Sequence, residues 1–256
     1  MLILKDYWVD KLHVMVFDNR KSMGQKAGAD AAEHMKEMLK HKEELNIVFA
    51  AAPSQHETIM TLRQTDGIDW TRINAYHMDE YIGLSPDHSA SFRNLLIRTL
   101  FSKLPFKSIN LINGNTEDAF AEARRYGNLL NENPIDICLL GVGENGHLAF
   151  NDPPVADFTE PQLAKVVQLD EACRVQQVND RCFDKVEDVP TQAITVTIPG
   201  LTNAKVMICS VPASTKAEAV RNMLNGDVTE QCPASILTTH PGATLYLDKD
   251  SAKYLL

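Results

Sequence analysis

No two of the five cysteines, Cys138, Cys173, Cys182, Cys209 and Cys232, stand at the short spacing of a zinc knuckle or a redox pair. They read as reduced core thiols, and no His/Cys/carboxylate run has metal-ligand spacing, so no metal is expected. Positive charge is scarce too. Twenty-five Lys and Arg face 34 Asp and Glu, a net charge of -9, whereas a surface for nucleic acid or an anionic membrane needs a clustered positive excess. Any anion site must therefore be local. No hydrophobic run approaches the ~20 residues of a membrane span. The apolar opening MLILKDYWVDKLHVMVF carries Lys5, Asp6, Asp10 and Lys11 within the stretch that a signal peptide keeps uncharged. Repeats, low-complexity tracts and charged tails are missing. These absences exclude nucleic-acid and membrane partners and leave the cytoplasm as the expected location, by default rather than by a positive signal.

What remains is an ordinary globular composition, 44% hydrophobic and 23% charged, with no shift that marks a seam. One domain over residues 1–256 is expected. Short apolar, β-branched runs alternate with segments of helical period, the pattern of a doubly wound α/β fold: a single, mostly parallel sheet with helices on both faces. Strands are expected at 46–50, 72–77, 109–112, 135–140, 166–169, 193–198, 206–211 and 243–247. Met23, Ala27, Ala31, Met35, Met38 and Leu39 make one helical face; Phe120, Ala123, Tyr126, Leu129 and Leu130 make another. A helix from about Thr215 to Leu224 has Thr215 and Glu218 at capping-box spacing and Gly226 as its stop.

After the strand IDICLL comes Gly141-Val142-Gly143-Glu144-Asn145-Gly146, which satisfies G-x-G-x-x-G, and a later strand ends at Asp170, where a ribose-binding acid would sit. A dinucleotide site needs a sustained helix after the third glycine. Here the chain reaches Asn151-Asp152-Pro153-Pro154 within about two turns, which would abort it. A plain glycine turn and a substrate-binding loop are the other two readings, and the loop is preferred.

Two blocks carry a specific resemblance. The run GVGENGHLAFNDP, Gly141 to Pro153, resembles the glycine-histidine loop of the glucosamine-6-phosphate deaminase/isomerase family. Asn74-Ala75-Tyr76-His77-Met78-Asp79-Glu80-Tyr81-Ile82-Gly83-Leu84, followed by His88 and Ser91-Phe92, is similar to that family's M-D-E-Y-x-G-L segment. The related 6-phosphogluconolactonases lack the Tyr-x-Gly-Leu continuation, so this chain sides with the deaminases. The resemblance implies a Rossmann-like fold of the sugar-phosphate isomerase type. It also implies a deaminase-like hydrolase/isomerase acting on an amino-hexose 6-phosphate, such as glucosamine or galactosamine 6-phosphate, with no cofactor.

By the same resemblance Asp79 is the base that moves the carbon 2 proton; a loop acid in a turn is the alternative. His147 is the ring-opening histidine, a group that exchanges protons near neutral pH without tuning. Asn145 stands where many members carry Asp, and Asp152 where they usually carry Glu; both residue types also suit turns. Gly141 and Gly143 border the substrate. The phosphate loop appears as Ala52-Pro53-Ser54-Gln55, without the family's glycines, so the Ser54 hydroxyl, the Gln55 amide and the helix N-terminus that follows are its donors; an ordinary helix cap is the alternative. Arg181 and Lys216 match the phosphate cations. Lys216 lies in the first turn of its helix, where the macrodipole disfavours a cation unless an anion is near, although both cations also read as surface residues. A catalytically lapsed sugar-phosphate sensor and a related isomerase or lactonase stay open. A homo-oligomer is compatible with the sequence. The end at Leu256, soon after the strand with Tyr246, implies that the tail of allosteric hexameric members is missing.

Overall fold

A computed structural model describes residues 1–179 and 181–256. It opens with a hairpin of β1 (Ile3–Val9) and β2 (Leu12–Phe17), turned at Asp10, whose φ of 49° is tolerable for Asp. Neither strand is expected from sequence, because Lys5 and Asp6 interrupt the apolar run. Charges of this kind suit an edge strand, and β1 is the edge. Next comes α1 (Arg20–Leu39), started by Asn19, whose side chain accepts from the Ser22 amide at 2.8 Å. It buries Met23, Ala27, Ala31, Met35 and Leu39, the face anticipated above.

The chain continues through β3 (Leu45–Phe49), α2 (His56–Gln64), β4 (Ile73–His77), β5 (Asp79–Tyr81), α3 (Phe92–Thr99), β6 (Ser108–Asn110), α4 (Ala119–Glu132) and β7 (Ile137–Leu140). It ends with β8 (Ala164–Gln168), α5 (Glu171–Asn179), β9 (Gln192–Val196), α6 (Ile198–Thr202), β10 (Val206–Val211), α7 (Ala217–Asn225) and β11 (Ala243–Asp248). The main sheet has eight strands in the order β1-β2-β11-β10-β7-β3-β4-β6, parallel throughout except for β1. Alternation along the strands feeds two cores. Ile47, Phe49, Ile137, Leu139 and Ile208 join α1, α2 and α3 on one face. Val48, Cys138, Leu140, Met207 and Cys209 join α4, α6 and α7 on the other. The doubly wound class is as expected.

A single sheet is not. The runs expected as strands at 166–169 and 193–198 form, as β8 and β9, but with β5 they build a separate three-stranded antiparallel sheet. The chain turns out of the main sheet at Met78, whose carbonyl accepts from the Val196 amide at 2.7 Å. Two smaller expectations also need correction. Phe120 is 62% exposed rather than packed. The Thr215/Glu218 capping box does not form; a 3-10 turn over Ser214–Lys216 leads into α7 without a side-chain cap, although Gly226 does end it. Among the described residues no helix is long and apolar enough to cross a membrane.

Candidate active site

From β3 the chain winds outward through β4 to β6; from β7 it winds the other way through β10 and β11. β3 and β7 are neighbours, paired from Ile47↔Ile137 to Phe49↔Leu139, so the loops after them diverge. Such a switch point opens a crevice at the carboxyl ends of the strands. A cleft lies there, walled by the segments that follow β3, β4, β7 and β10.

The loop after β7 is a turn rather than the start of a helix. The Gly143 amide donates to the His147 carbonyl at 2.9 Å, the Gly146 amide to the Gly143 carbonyl at 3.0 Å, and a bridge pairs Leu148 with Asn151. This geometry removes the dinucleotide reading, which requires a helix there. Gly146 needs φ +86°, a glycine conformation, and a Cβ on Gly143 would fall 2.2 Å from His147 Cε1. The imidazole thus rests directly on the Gly143 backbone. His147 Nδ1 lies 2.8 Å from Asn145 Oδ1 and 2.9 Å from Asp152 Oδ1, while Asn145 Nδ2 donates to Asp152 Oδ1 at 2.8 Å. An ionised Asp152 only accepts, so Asn145 presents its amide nitrogen to it and its oxygen to the ring. Nδ1 must then carry the proton, and Nε2 is left as the acceptor. Burial alone would raise the Asp152 pKa, but the adjacent imidazole and the hydrogen bonds from His147, Asn145 and the Cys173 thiol outweigh it and hold the carboxyl below its ordinary value.

Asp79 opens β5 and reaches the same cleft. Burial, then the neighbouring Glu80 charge, push its pKa well above the carboxylate range, with no hydrogen bond pulling it back. Glu80 faces elsewhere: it accepts from the amides of Tyr81, Phe92 and Arg93 and from the Ser91 hydroxyl at 2.8–3.1 Å, fastening the start of α3. His77 is buried behind the sheet end. Its Nε2 accepts from the Ile112 amide at 2.8 Å, and burial pushes its pKa down to about 3, so it is a neutral structural residue.

At the other end of the cleft stand Ser54, Thr215 and the buried Lys216. Gln55 is adjacent, but its side-chain nitrogen is taken up by the carbonyls of Leu140 (3.0 Å) and Ser210 (3.3 Å) and by Ser54 Oγ (3.1 Å). It ties the loop to β7 and β10 and does not reach the cleft. Gly141 lies against this pair, where a Cβ would come within 3.1 Å of both side chains. Arg181 is exposed, with a left-handed φ of 60°, and is not part of the cleft wall. Another guanidinium is: Arg20, which donates from Nε to both Glu57 oxygens at 2.9 Å.

The family profile of glucosamine-6-phosphate isomerases/6-phosphogluconolactonase matches residues 18–246. The chain belongs to this family. It is 41% identical over 187 residues to a glucosamine-6-phosphate deaminase of Exiguobacterium sp. (strain AT1b), covering 73% of this chain and 72% of that one. It is 36% identical over 217 residues to the deaminase of Bacillus cereus (strain B4264), covering 85% and 80%. A solved structure of a monomeric glucosamine-6-phosphate deaminase superposes with a TM-score of 0.84 at 32% identity, covering 94% of this chain and 98% of that one. The 6-phosphogluconolactonase of Thermotoga maritima shares the fold, with a TM-score of 0.75 at 15% identity, over 93% and 99% of the two chains.

Within this glucosamine-6-phosphate isomerase/6-phosphogluconolactonase fold, then, Asp79, Asn145, His147, Asp152, Gly141, Gly143, Ser54 and Lys216 come together, while Gln55 and Arg181 do not face the cleft. Two features have no sequence signal. Arg20 arrives from α1, and no motif surrounds it. The other is a grouping that no sequence spacing signals: His147, Asp152 and Cys173 each offer one donor atom, all within 4.8 Å of one another, with all three residues buried. Cys173 sits on α5, far along the chain, so spacing could not reveal it.

Proposed function

We propose that this chain converts an amino-hexose 6-phosphate, glucosamine 6-phosphate or its galacto epimer, into the ketohexose 6-phosphate and ammonia. The observation that carries the reading is one cleft holding His147, its inner nitrogen held by Asn145 and Asp152, together with the buried carboxyl of Asp79. Nε2 of His147 takes the proton of the anomeric hydroxyl and returns it to the ring oxygen; the bond from carbon 1 to that oxygen breaks and an aldehyde forms. Asp152 stabilises the imidazolium that exists between the two transfers. Asp79 then removes the proton on carbon 2 and delivers it to carbon 1 while a proton of the amine passes to the carbon 1 oxygen, which leaves a hydroxymethyl at carbon 1 and an imine at carbon 2. Water adds there and ammonia departs, so the overall change hydrolyses a C–N bond while isomerising the sugar. A carboxylate with an upward-shifted pKa is the stronger base for this step. Lys216, with the Ser54 and Thr215 hydroxyls, meets the phosphate. One domain over residues 1–256 carries the site, and five free cysteines suit the reducing cytoplasm.

The test is ammonia release across a panel of hexosamine 6-phosphates in heavy water, following deuterium at carbon 1 of the ketose product. Release with exchange is expected. Hydrolysis of 6-phosphogluconolactone without ammonia release would move the chain to the lactonase side of its family, and tight binding without exchange would make it a sensor.

A further inference from the structure

The imidazole of His147, the carboxylate of Asp152 and the thiol of Cys173 bring three donors of different hardness together within 4.8 Å. Their relative exposures are 7%, 0% and 1%, so none is a casual surface group. Asp152 uses only one oxygen in the network around His147. The other, Oδ2, is buried and receives no nitrogen or hydroxyl donor; the one further donor to this carboxylate is the Cys173 thiol itself, a weak donor that leaves the buried charge poorly satisfied and already places the third member of the trio against Asp152. We propose that His147, Asp152 and Cys173 form an inhibitory site for a borderline-soft divalent cation of the zinc class, with Cys173 as the selecting ligand.

Imidazole nitrogen, thiolate and carboxylate together are a donor set for zinc, cadmium or cobalt(II), whereas magnesium and calcium take oxygen ligands. A tetrahedral ion at ~2.0–2.3 Å from each donor spaces them ~3.3–3.8 Å apart. From its upper limit of 4.8 Å the trio needs ~1–1.5 Å of approach. His147 lines the cleft and α5 contributes Gln176 and Gln177 to its wall, so the ion arrives from the substrate side and a water there completes the fourth position.

Coordination replaces protons by metal. The thiol proton goes to solvent as the metal–sulfur bond forms, and Nδ1 gives up its proton when it ligates. That proton passes to Nε2, so the ring stays neutral with its single N–H moved from Nδ1 to Nε2; Nε2 turns from acceptor to donor, and His147 no longer takes the anomeric proton. The loss of turnover rests on the deamination reading; the binding of the ion does not.

The experiment titrates reduced, metal-stripped protein with cobalt(II), following the near-ultraviolet thiolate-to-cobalt charge-transfer band, and in parallel measures zinc inhibition of ammonia release. Wild type, Cys173→Ser, Cys173→Ala and the control Cys182→Ser are compared, the control removing a thiol that lines the cleft outside the trio. The band is expected in wild type and Cys182→Ser and absent from both Cys173 variants, whose half-inhibiting zinc concentration rises roughly tenfold or more. Magnesium at the same concentration leaves wild-type rates unchanged. A band that persists in Cys173→Ser, or zinc inhibition equal in wild type and Cys173→Ala, overturns the site. If Cys173→Ala does not fold, the near-isosteric serine variant decides alone. Cobalt binding that needs Cys173, in a protein that releases no ammonia from any hexosamine phosphate, supports the metal site and overturns the deaminase reading instead.

Discussion

Replacing Asp79 with Asn separates turnover from stability at one side chain. In the folded protein, burial and then the Glu80 charge raise the Asp79 pKa well above its ordinary value, while the unfolded chain ionises near pH ~4. Between those two values the native state holds a proton that the unfolded state has released. Stability therefore falls as pH rises through this window, by about 1.4 kcal/mol per pH unit at most, and levels off above the folded pKa. Asparagine has nothing to ionise. The variant should match wild type below pH ~4 and exceed it at neutral pH, with each kcal/mol recovered raising Tm by ~2–4 °C in a chain of this size. Turnover should move the opposite way. A positioned general base contributes ~10²–10⁴-fold, so kcat should fall by that factor, ~3–5 kcal/mol in barrier height. Substrate affinity should stay within about threefold, because the amide fills the same space and still hydrogen-bonds. Thermal melts from acid to alkaline pH, with kcat and ligand titrations on the same preparations, make the measurement. A variant less stable than wild type at neutral pH refutes the buried, ionisation-strained carboxyl. A variant that keeps its kcat moves the base away from Asp79, and Glu80, with both oxygens occupied by α3, is a poor substitute.

Gly143→Ala drives a Cβ into the His147 ring, 2.2 Å from Cε1, so kcat/KM should drop about 10²-fold as the imidazole is displaced while the melting curve stays near wild type; unchanged kinetics would mean that His147 is not positioned by this contact. Lys216→Ala removes a charge-assisted contact of ~1.5–3 kcal/mol and should weaken glucosamine 6-phosphate about tenfold or more, without changing the binding of unphosphorylated glucosamine, as calorimetry can check. The Asp152 pKa is lowered in the folded state, so its stabilisation is present above the unfolded pKa and disappears as pH falls through the folded one. Asp152→Asn should therefore lack that part of the acid-induced loss, and acid melts of the two proteins that superimpose would deny the coupling to His147. Prolonged chelation should leave ammonia release intact or raise it, and a loss restored only by a divalent ion would end the metal-free proton-transfer mechanism.

Strands buried on both faces are legible as uninterrupted apolar runs; Val206 to Val211 forms over the residues expected. The hairpin at the start is not legible, because an edge strand tolerates Lys5 and Asp6 and so loses the apolar signature. Strand membership is a different matter from strand existence. Nothing in the runs at 166–169 and 193–198 says that they leave the main sheet to pair around β5, since pairing depends on where distant segments meet.

The histidine loop shows the same division. Gly143, Asn145, Gly146, His147 and Asp152 are readable together because a tight turn writes its needs locally: glycine where φ is positive or a ring lies on the backbone, and short polar side chains that bond a few residues away. Gln55 is readable as a loop amide, but not as one turned inward to the carbonyls of Leu140 and Ser210. Arg181 matches a motif and still lies outside the cleft wall, whereas Arg20 and Cys173 match none and stand against it or just behind it. Local chemistry in the chain thus determines the strand–helix alternation, the histidine turn and the kind of reaction. The tertiary fold alone decides which cation, which thiol and which carboxylate face one another, because those contacts join α1, α5 and the strand ends across long stretches of sequence, where spacing carries no information about distance.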